Sequence, residues 1–329
     1  MSASMRHAVA LGAVLIGAFG VQPAAALDVI KVADAQKGFW DTAFVFLGQE
    51  RGFFKEQGIE LDIQWTDGGA ETQQAVITGS FDVGLATGLL GVISAYAKGA
   101  PVVLLSSETT GASDLLWYVR ADSPIKSLQD IEGKTVAFSR PGSSSNQIAA
   151  ALVKLSGKSA KLVSAGGAPA TLTQVMSGQI DVGWAAVPGP LEMVHEGKLR
   201  VIAVGNDAPG AAGHTVRVNI TNAAMLNTRR DVLRRFLVAY QKSIDWAYGS
   251  PEALQDYGKF AEVKPEIVEE LRTKYFAKSA VALDTVAGLD QTMREAVESK
   301  RLEKPLTAEQ QDDLLRPMRE LTKDLAKGP

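Results

Sequence analysis

From residue 27 onward, short apolar runs alternate with amphipathic stretches. Residues 59–65 carry Ile59, Leu61, Ile63 and Trp65 at every second position, the period of a half-buried strand. Residues 29–33, 83–86 and 102–106 predict further strands. Between them, 42–54 sets Phe44, Val45, Leu47 and Phe53 in a helix that closes near Gly52, and 71–78 and 89–98 predict two more helices. The scheme then repeats. Extended residues 115–119 precede strands at 135–138, 161–164, 182–185 and 201–204, with helices at 144–155, around 172–177 and at 192–196. Strands separated by helices of about 10–15 residues predict an α/β fold with largely parallel sheets. A loop, Gly205-Asn206-Asp207-Ala208-Pro209-Gly210, breaks the alternation before another extended run at 216–220. The remainder reads as helical. Thr228 is the expected cap of a helix over 229–248, with Asp231 at its third position and Val232, Leu233, Phe236, Leu237, Tyr240 and Ile244 as its apolar stripe. Ser250-Pro251-Glu252 opens another helix, and 284–299 and 307–325 follow.

One unit occurs twice. Gly79-Ser80-Phe81-Asp82-Val83-Gly84 recurs 99 residues later as Gly178-Gln179-Ile180-Asp181-Val182-Gly183. Each copy follows a helix and opens a short apolar strand. Gly suits the left-handed position that ends a helix, and Asp is expected to hydrogen-bond within its own turn. The repetition predicts two similar α/β lobes. The helical tail, polar on one face and apolar on the other, is expected to pack back on the first lobe. Lobe one is then 27–118 plus 220–329, and lobe two is 119–219. The extended segments near 115–120 and 216–221 join them as a two-strand hinge.

Composition narrows the chemistry. The 329 residues contain no cysteine, which excludes disulfides, thiolate metal sites, iron–sulfur clusters and cysteine nucleophiles. The three histidines, His7, His195 and His214, are too few and too scattered for a metal cluster. A net charge of −3 supplies no electrostatic reason for nucleic acid, and Arg229, Arg230, Arg234 and Arg235 read as the solvated face of a helix. Residues 1–26 read as a secretory signal: Arg6 and His7 form a basic start, 8–21 an apolar stretch, and Ala24-Ala25-Ala26 a cleavage site. The apolar stretch is shorter than the roughly 20 residues a bilayer needs. An exported chain without disulfides is expected in a bacterial periplasm, as a monomer.

In open α/β sheets, ligands bind beyond the carboxyl ends of the strands. That rule selects Gln36, Phe39 and Trp40 after the first strand, Gly69, Thr87-Gly88 and Glu108 in the first lobe, and Trp184 and Pro188 in the second. The richest loop is Ser139-Arg140-Pro141-Gly142-Ser143-Ser144-Ser145-Asn146. It enters a helix whose first N–H groups lack partners, and it adds three hydroxyls, so it is suited to an anion. It lacks the lysine of a nucleotide-binding P-loop. The expected arrangement has Gly142, Ser143 and Ser144 holding a charged head, Gln36, Gly69, Thr87 and Gly88 facing it, and Phe39, Trp40 and Trp184 excluding water. Glu108 or Asp114 is a candidate reader of a ligand amine. Neither a G-x-S-x-G elbow nor a G-x-G-x-x-G loop after a strand is present, so no catalytic residue, metal or cofactor is expected.

Four segments carry a family resemblance. Gln49-Glu50-Arg51-Gly52-Phe53-Phe54-Lys55-Glu56-Gln57-Gly58-Ile59-Glu60-Leu61 resembles the first helix–strand unit of periplasmic binding proteins for nitrate, sulfonates and taurine. Gly79-Ser80-Phe81-Asp82-Val83-Gly84 is similar to their next unit. Ser123-Pro124-Ile125-Lys126-Ser127-Leu128-Gln129-Asp130-Ile131-Glu132-Gly133-Lys134-Thr135-Val136 resembles their entry to the second lobe, and Pro141-Gly142-Ser143-Ser144-Ser145 their anion loop. The resemblance covers about 27–325. It implies a type II periplasmic binding protein fold and delivery of a small anionic solute to the permease and ATPase of an ABC importer. The chain lacks the cysteine-rich motif of relatives that handle the thiamine pyrimidine precursor, and it is shorter than typical nitrate receptors. The taurine and alkanesulfonate branch is the nearest, with aromatic sulfonates or carboxylates as an alternative. An enzyme of pyrimidine synthesis and a receptor-kinase sensor domain are the rival classes.

Overall fold

A computed structural model describes residues 26–323 and Leu325. The leader expected at 1–26 lies outside the described residues except for Ala26. In chain order the strands are β1 (Asp28–Ala35), β2 (Ile59–Thr66), β3 (Val83–Gly88), β4 (Val102–Thr110), β5 (Leu115–Arg120), β6 (Thr135–Phe138), β7 (Lys161–Ser164), β8 (Gly183–Ala186), β9 (Leu199–Val204) and β10 (Thr215–Asn222). The helices are α1 (Trp40–Glu50), α2 (Phe53–Glu56), α3 (Gly69–Ile77), α4 (Leu89–Ala97), α5 (Ser144–Ser156), α6 (Ala168–Met176), α7 (Leu191–His195), α8 (Ala223–Thr228), α9 (Arg230–Gly249), α10 (Pro251–Ala261), α11 (Pro265–Glu270), α12 (Leu289–Glu298) and α13 (Ala308–Thr322).

The first sheet runs β2-β1-β3-β10-β4. β1 is parallel to β2 and β3, and β10 is antiparallel to β3 and β4. In the second lobe β5 pairs antiparallel with β8 and β9, while β6 pairs parallel with β7. A parallel bridge from Val136 to Val182 brings β6 beside β8. The second lobe therefore reads β7-β6-β8-β5-β9, the order of the first lobe repeated. In each, the strand that arrives from the other lobe is the antiparallel one.

The repeated motif has the same role in both lobes. Gly79 and Gly178 each take φ 76° directly after a helix. Thr72 and Thr171 each return a hydroxyl hydrogen bond to the carbonyl that opens their helix, Gly68 at 3.4 Å and Gly167 at 3.1 Å. The aspartates bond across to a neighbouring strand rather than within their own turns. Asp82 accepts the backbone N–H of Lys31 on β1 at 2.9 Å, and Asp181 that of Thr135 on β6 at 2.9 Å. Each carboxylate fastens its strand to the neighbouring one.

Sheet membership corrects the domain boundaries. Leu115–Arg120 belongs to the second lobe's sheet and Thr215–Asn222 to the first lobe's. The backbone crosses between lobes at 111–114 and 205–214 instead. A strand needs ladder partners along its length, so paired strands belong to the lobes and the short unpaired segments between them make the hinge. Helix starts shift as well. Gly52 breaks the first long helix into α1 and α2. Thr228 ends α8, whose cap is Asn222, and its hydroxyl bonds back to Ala224 at 2.8 Å. The run 284–299 becomes helical only from Leu289.

Three cores hold these layers. One face of the first sheet packs Ile30, Val32 and Leu85 against Phe44 of α1 and Phe236, Leu237 and Tyr240 of α9. The other face packs Leu104 and Ile220 against Leu89 and Ile93 of α4, Met293 of α12, and Leu314 and Met318 of α13. The second lobe has its own core around Trp117, Val119, Val136 and Ile148. Among the described residues no helix is long and apolar enough to cross a membrane.

Candidate functional site

The loop after β6 folds into a knot of three buried hydroxyls. Ser139 Oγ donates to Ser143 Oγ at 2.8 Å, Ser139 and Ser145 Oγ lie 2.9 Å apart, and Ser143 and Ser145 Oγ 3.0 Å apart. Ser143 is the N-cap of α5: its Oγ accepts from Asn146 N at 3.2 Å and sits 2.8 Å from Arg140 O. The hydroxyls of Ser139, Ser143 and Ser145 are thus spent on shaping the turn. What the loop presents outward is Ser144, with the first N–H groups of α5, which have no preceding helical carbonyl to bond.

These groups border a small cavity of about 30 Å³ between the lobes. Gln36, Phe39, Gly69 and Arg217 line it from the first lobe, and Ser143, Ser144 and Trp184 from the second. Local sequence pattern does not mark Arg217 as a site residue. Val216, Val218 and Ile220 make its strand alternate, so a charged residue between them reads as solvent-facing. In fact β10 is a central strand covered on both faces, and the Arg217 side chain is only 5% exposed. A cation there must be paired. Its guanidinium meets Asp41 of α1 at 2.8 Å and Asp114 of the 111–114 crossover at 2.5 Å. Nε of Arg217 has no hydrogen-bond partner. Burial opposes its charge, but Asp114 and Asp41 outweigh burial and hold it firmly protonated.

Around this ion triplet lie two more buried acids. Burial first, then the negative charge of Asp41, pushes the Glu108 carboxyl up to about 8, against the pull of Arg217 and of the Tyr240 hydroxyl that donates to it at 3.1 Å. Asp34 is raised well above the ordinary carboxylate range by burial, Glu108 and Asp41. Burial also raises Asp41, with Arg217 opposing.

A second space, a chamber of about 560 Å³, shares Gln36 and Phe39 with the small cavity as lining residues. Its walls come from Phe39 and Trp65 of the first lobe, from Leu172 and Pro188 of the second, and from Val263 and Ile267 at the α10–α11 turn. Gln36 lines both spaces. Its backbone is left-handed at φ 65°, an uncommon state for a non-glycine residue. Its amide donates to Asp67 O at 3.1 Å and accepts from Ala168 N, at the start of α6, at 3.2 Å. The side chain therefore ties the two lobes together.

The structure thus gathers Gln36, Phe39, Gly69, Ser143, Ser144 and Trp184 around the small cavity and puts Pro188 in the chamber. The other six expected residues, Trp40, Thr87, Gly88, Glu108, Asp114 and Gly142, line neither cavity. Trp40 is fully buried, with its indole N–H donating to Tyr248 Oη at 3.1 Å and Phe44 and Tyr257 against its ring. Thr87 spends its hydroxyl on Val218 O at 2.7 Å, inside the sheet. Glu108 and Asp114 are buried beneath the cleft and line neither cavity. Gly88 and Gly142 form a lobe-to-lobe contact: a Cβ at Gly88 would lie 2.8 Å from Ser144 N, and one at Gly91 2.6 Å from Gly142 O. Only bare backbone lets α4 and the serine loop approach this closely. Arg140 also bridges the lobes to Asp67 at 3.1 Å, and Gln147 to Glu295 at 2.6 Å.

The NMT1/THI5-like family matches residues 40–254, more than half of the sequence. The chain belongs to the NMT1/THI5-like family. A relative in sequence is the 4-amino-5-hydroxymethyl-2-methylpyrimidine phosphate synthase THI5 of Saccharomyces cerevisiae, 20% identical over 250 residues, which are 71% of each protein. Among solved structures, the alkanesulfonate-binding protein SsuA from Xanthomonas axonopodis pv. citri, bound to MOPS, superposes with a TM-score of 0.69 at 16% identity, over 90% of this chain and 99% of its own. The periplasmic nitrate-binding protein NrtA from Synechocystis PCC 6803 superposes with a TM-score of 0.70 at 13% identity, over 92% and 89%. These likenesses show the fold: this NMT1/THI5-like chain has the two-lobed type II periplasmic binding protein architecture expected from its sequence.

Proposed function

We propose that the protein is the solute receptor of an ABC importer, capturing a small organic oxyanion between its lobes and presenting it to a permease and its ATPase. One observation carries the reading. A buried guanidinium and the amide end of α5, from opposite lobes, converge on one cavity in the cleft. Fixed donors at a helix N-terminus favour negative charge, and donors contributed by both lobes make binding and closure the same event. The sulfonate- and nitrate-binding relatives of the same fold support the choice of an oxyanion. The leader read in residues 1–26 supports a periplasmic location. Capture rather than catalysis fits a chain without cysteine in which His195 and His214 line neither cavity.

Calorimetric titration with a panel of sulfonates, carboxylates, nitrate and sulfate is expected to give one saturable site for at least one oxyanion. Silence across the panel removes the reading. Closure has its own test. Gly91→Ala sets a methyl against Gly142 O and against the end of the flexible Gln73 side chain, which can turn aside, at a helical position where alanine is otherwise favoured by roughly 0.5–1 kcal/mol. The variant is expected to keep or gain thermal stability, yet to lose tenfold or more in affinity and to show a larger radius of gyration in X-ray scattering at saturating ligand. Unchanged affinity and radius would remove Gly91 from the closing contact.

A further inference from the structure

The reading above leaves open what the oxyanion is attached to, and the two cavities differ in a way that answers it. The head cavity, at about 30 Å³, has room for little more than one small group. The chamber is about 560 Å³, within the range of clefts that enclose organic molecules several rings in size. Resting on that reading, we infer that the chamber is a second subsite that selects oxyanions bearing a bulky, ring-containing apolar body and no amine, over short amino-anions such as taurine.

The walls carry this. Phe39, Trp65, Pro169, Leu172, Pro188 and Ile267 turn apolar surface toward the chamber, and covering such surface is favourable in proportion to its area. Trp65 and Leu172 are half-buried, so they retain surface for a ligand to cover. Phe39 and Trp65 from one lobe and Pro169 and Pro188 from the other are rigid, ring-bearing lining groups, which suit a planar ring better than a flexible chain. A short amino-anion reaching the head cavity would leave most of this surface uncovered.

The charges point the same way. An ammonium placed one or two carbons from the head needs a carboxylate close to the head cavity. None lines that cavity. Glu108 and Asp114 lie behind its wall, and Asp114 is engaged by Arg217. The acids that do line the chamber, Asp67, Glu192 and Glu262, are exposed at its rim. Two of them are already paired, Asp67 with Arg140 and Glu192 with Lys264. The third wall, at the α10–α11 turn, comes from the C-terminal helices, so body selection involves a part of the chain remote from the serine loop.

The test uses the full chain, titrated calorimetrically with sodium sulfate, taurine, butane-1-sulfonate, naphthalene-2-sulfonate and 2-naphthoate. At least one of the two naphthyl probes is expected to bind about 100-fold or more tightly than taurine, with butane-1-sulfonate between them. The two naphthyl arms separate sulfonate from carboxylate heads. Leu172→Trp, which fills the chamber, is expected to reduce the naphthyl preference to less than tenfold. Taurine binding as tightly as both naphthyl probes overturns this inference and leaves the receptor reading standing, as does an undiminished naphthyl preference in Leu172→Trp. No heat with any probe overturns the receptor reading and this inference together.

Discussion

Arg217→Met is expected to destabilise the protein by about 3–5 kcal/mol and to abolish oxyanion binding. The guanidinium is the only cation that the buried carboxylates of Asp41 and Asp114 meet within salt-bridge distance among the described residues. Removing one partner of a buried ion group leaves the remaining charge without compensation, which costs far more than the group contributes as a whole. The damage reaches beyond one strand, because the three residues lie on three parts of the fold: Asp41 on α1, Arg217 on β10 and Asp114 in a crossover between lobes. The main chain of Asp114 also accepts the N–H of Val187 in the second lobe at 2.9 Å. Arg217 therefore connects the head cavity to the hinge. The control is the triple variant Asp41→Asn, Arg217→Met, Asp114→Asn, which removes the charges together. It is expected to recover at least half of the lost stability and none of the binding. Urea unfolding at constant slope measures the first effect and calorimetry the second. A single-variant loss below about 1 kcal/mol would show that the triplet is not a tightly coupled unit.

The strands and the place of the serine turn at the start of α5 are legible from local pattern; that the hydroxyls of Ser143 and Ser145 are spent inside the turn is not. The alternation in 59–65 and the repeated Gly-x-x-Asp units each have one structural solution. Side-chain direction at the element ends was not legible. Trp40 follows a strand in a region where ligand-binding loops occur, and with the helix begun at residue 42 it reads as a loop aromatic. α1 begins at Trp40, which puts Trp40, Phe44 and Leu47 on one face at i, i+4 and i+7. That shift of two residues turns an expected cleft wall into core. The hinge is not legible in the sequence for a related reason. Extended residues look alike whether they cross between lobes or pair within one, and only the sheet order separates the two cases. Trp65 and Ile267 reach the chamber from 202 positions apart in sequence, and no local signal links them. Arg217 had one usable clue, a charged residue in a strand that ends up central. Seeing it required knowing that β10 inserts between β3 and β4.

Stability is expected to fall as the pH rises from 5 to 8, and Glu108→Gln is expected to remove much of that fall. The ordinary glutamate value is 4.5, and in the folded protein Glu108 is pushed up to about 8. Between those values the native state holds a proton that the unfolded chain has released. The stabilisation from that proton is complete below 4.5 and is lost progressively up to 8. One such group contributes a slope of at most about 1.4 kcal/mol per pH unit. A loss of roughly 2–4 kcal/mol over the range is expected from Glu108 with its coupled neighbours. Asp34 is shifted in the same direction by burial, so the variant retains part of the slope. Glutamine keeps an acceptor for the Tyr240 hydroxyl and carries no charge to desolvate, so the gain over the natural protein is largest at pH 8, at about 2 kcal/mol. Urea unfolding at pH 5, 6, 7 and 8 tests this, and equal slopes for the two proteins would refute it. The same proton bears on binding. Losing it places a further negative charge beneath the head cavity, beside a guanidinium already shared by two carboxylates. Oxyanion affinity should therefore weaken as the pH passes 8 in the natural protein, and weaken less in Glu108→Gln.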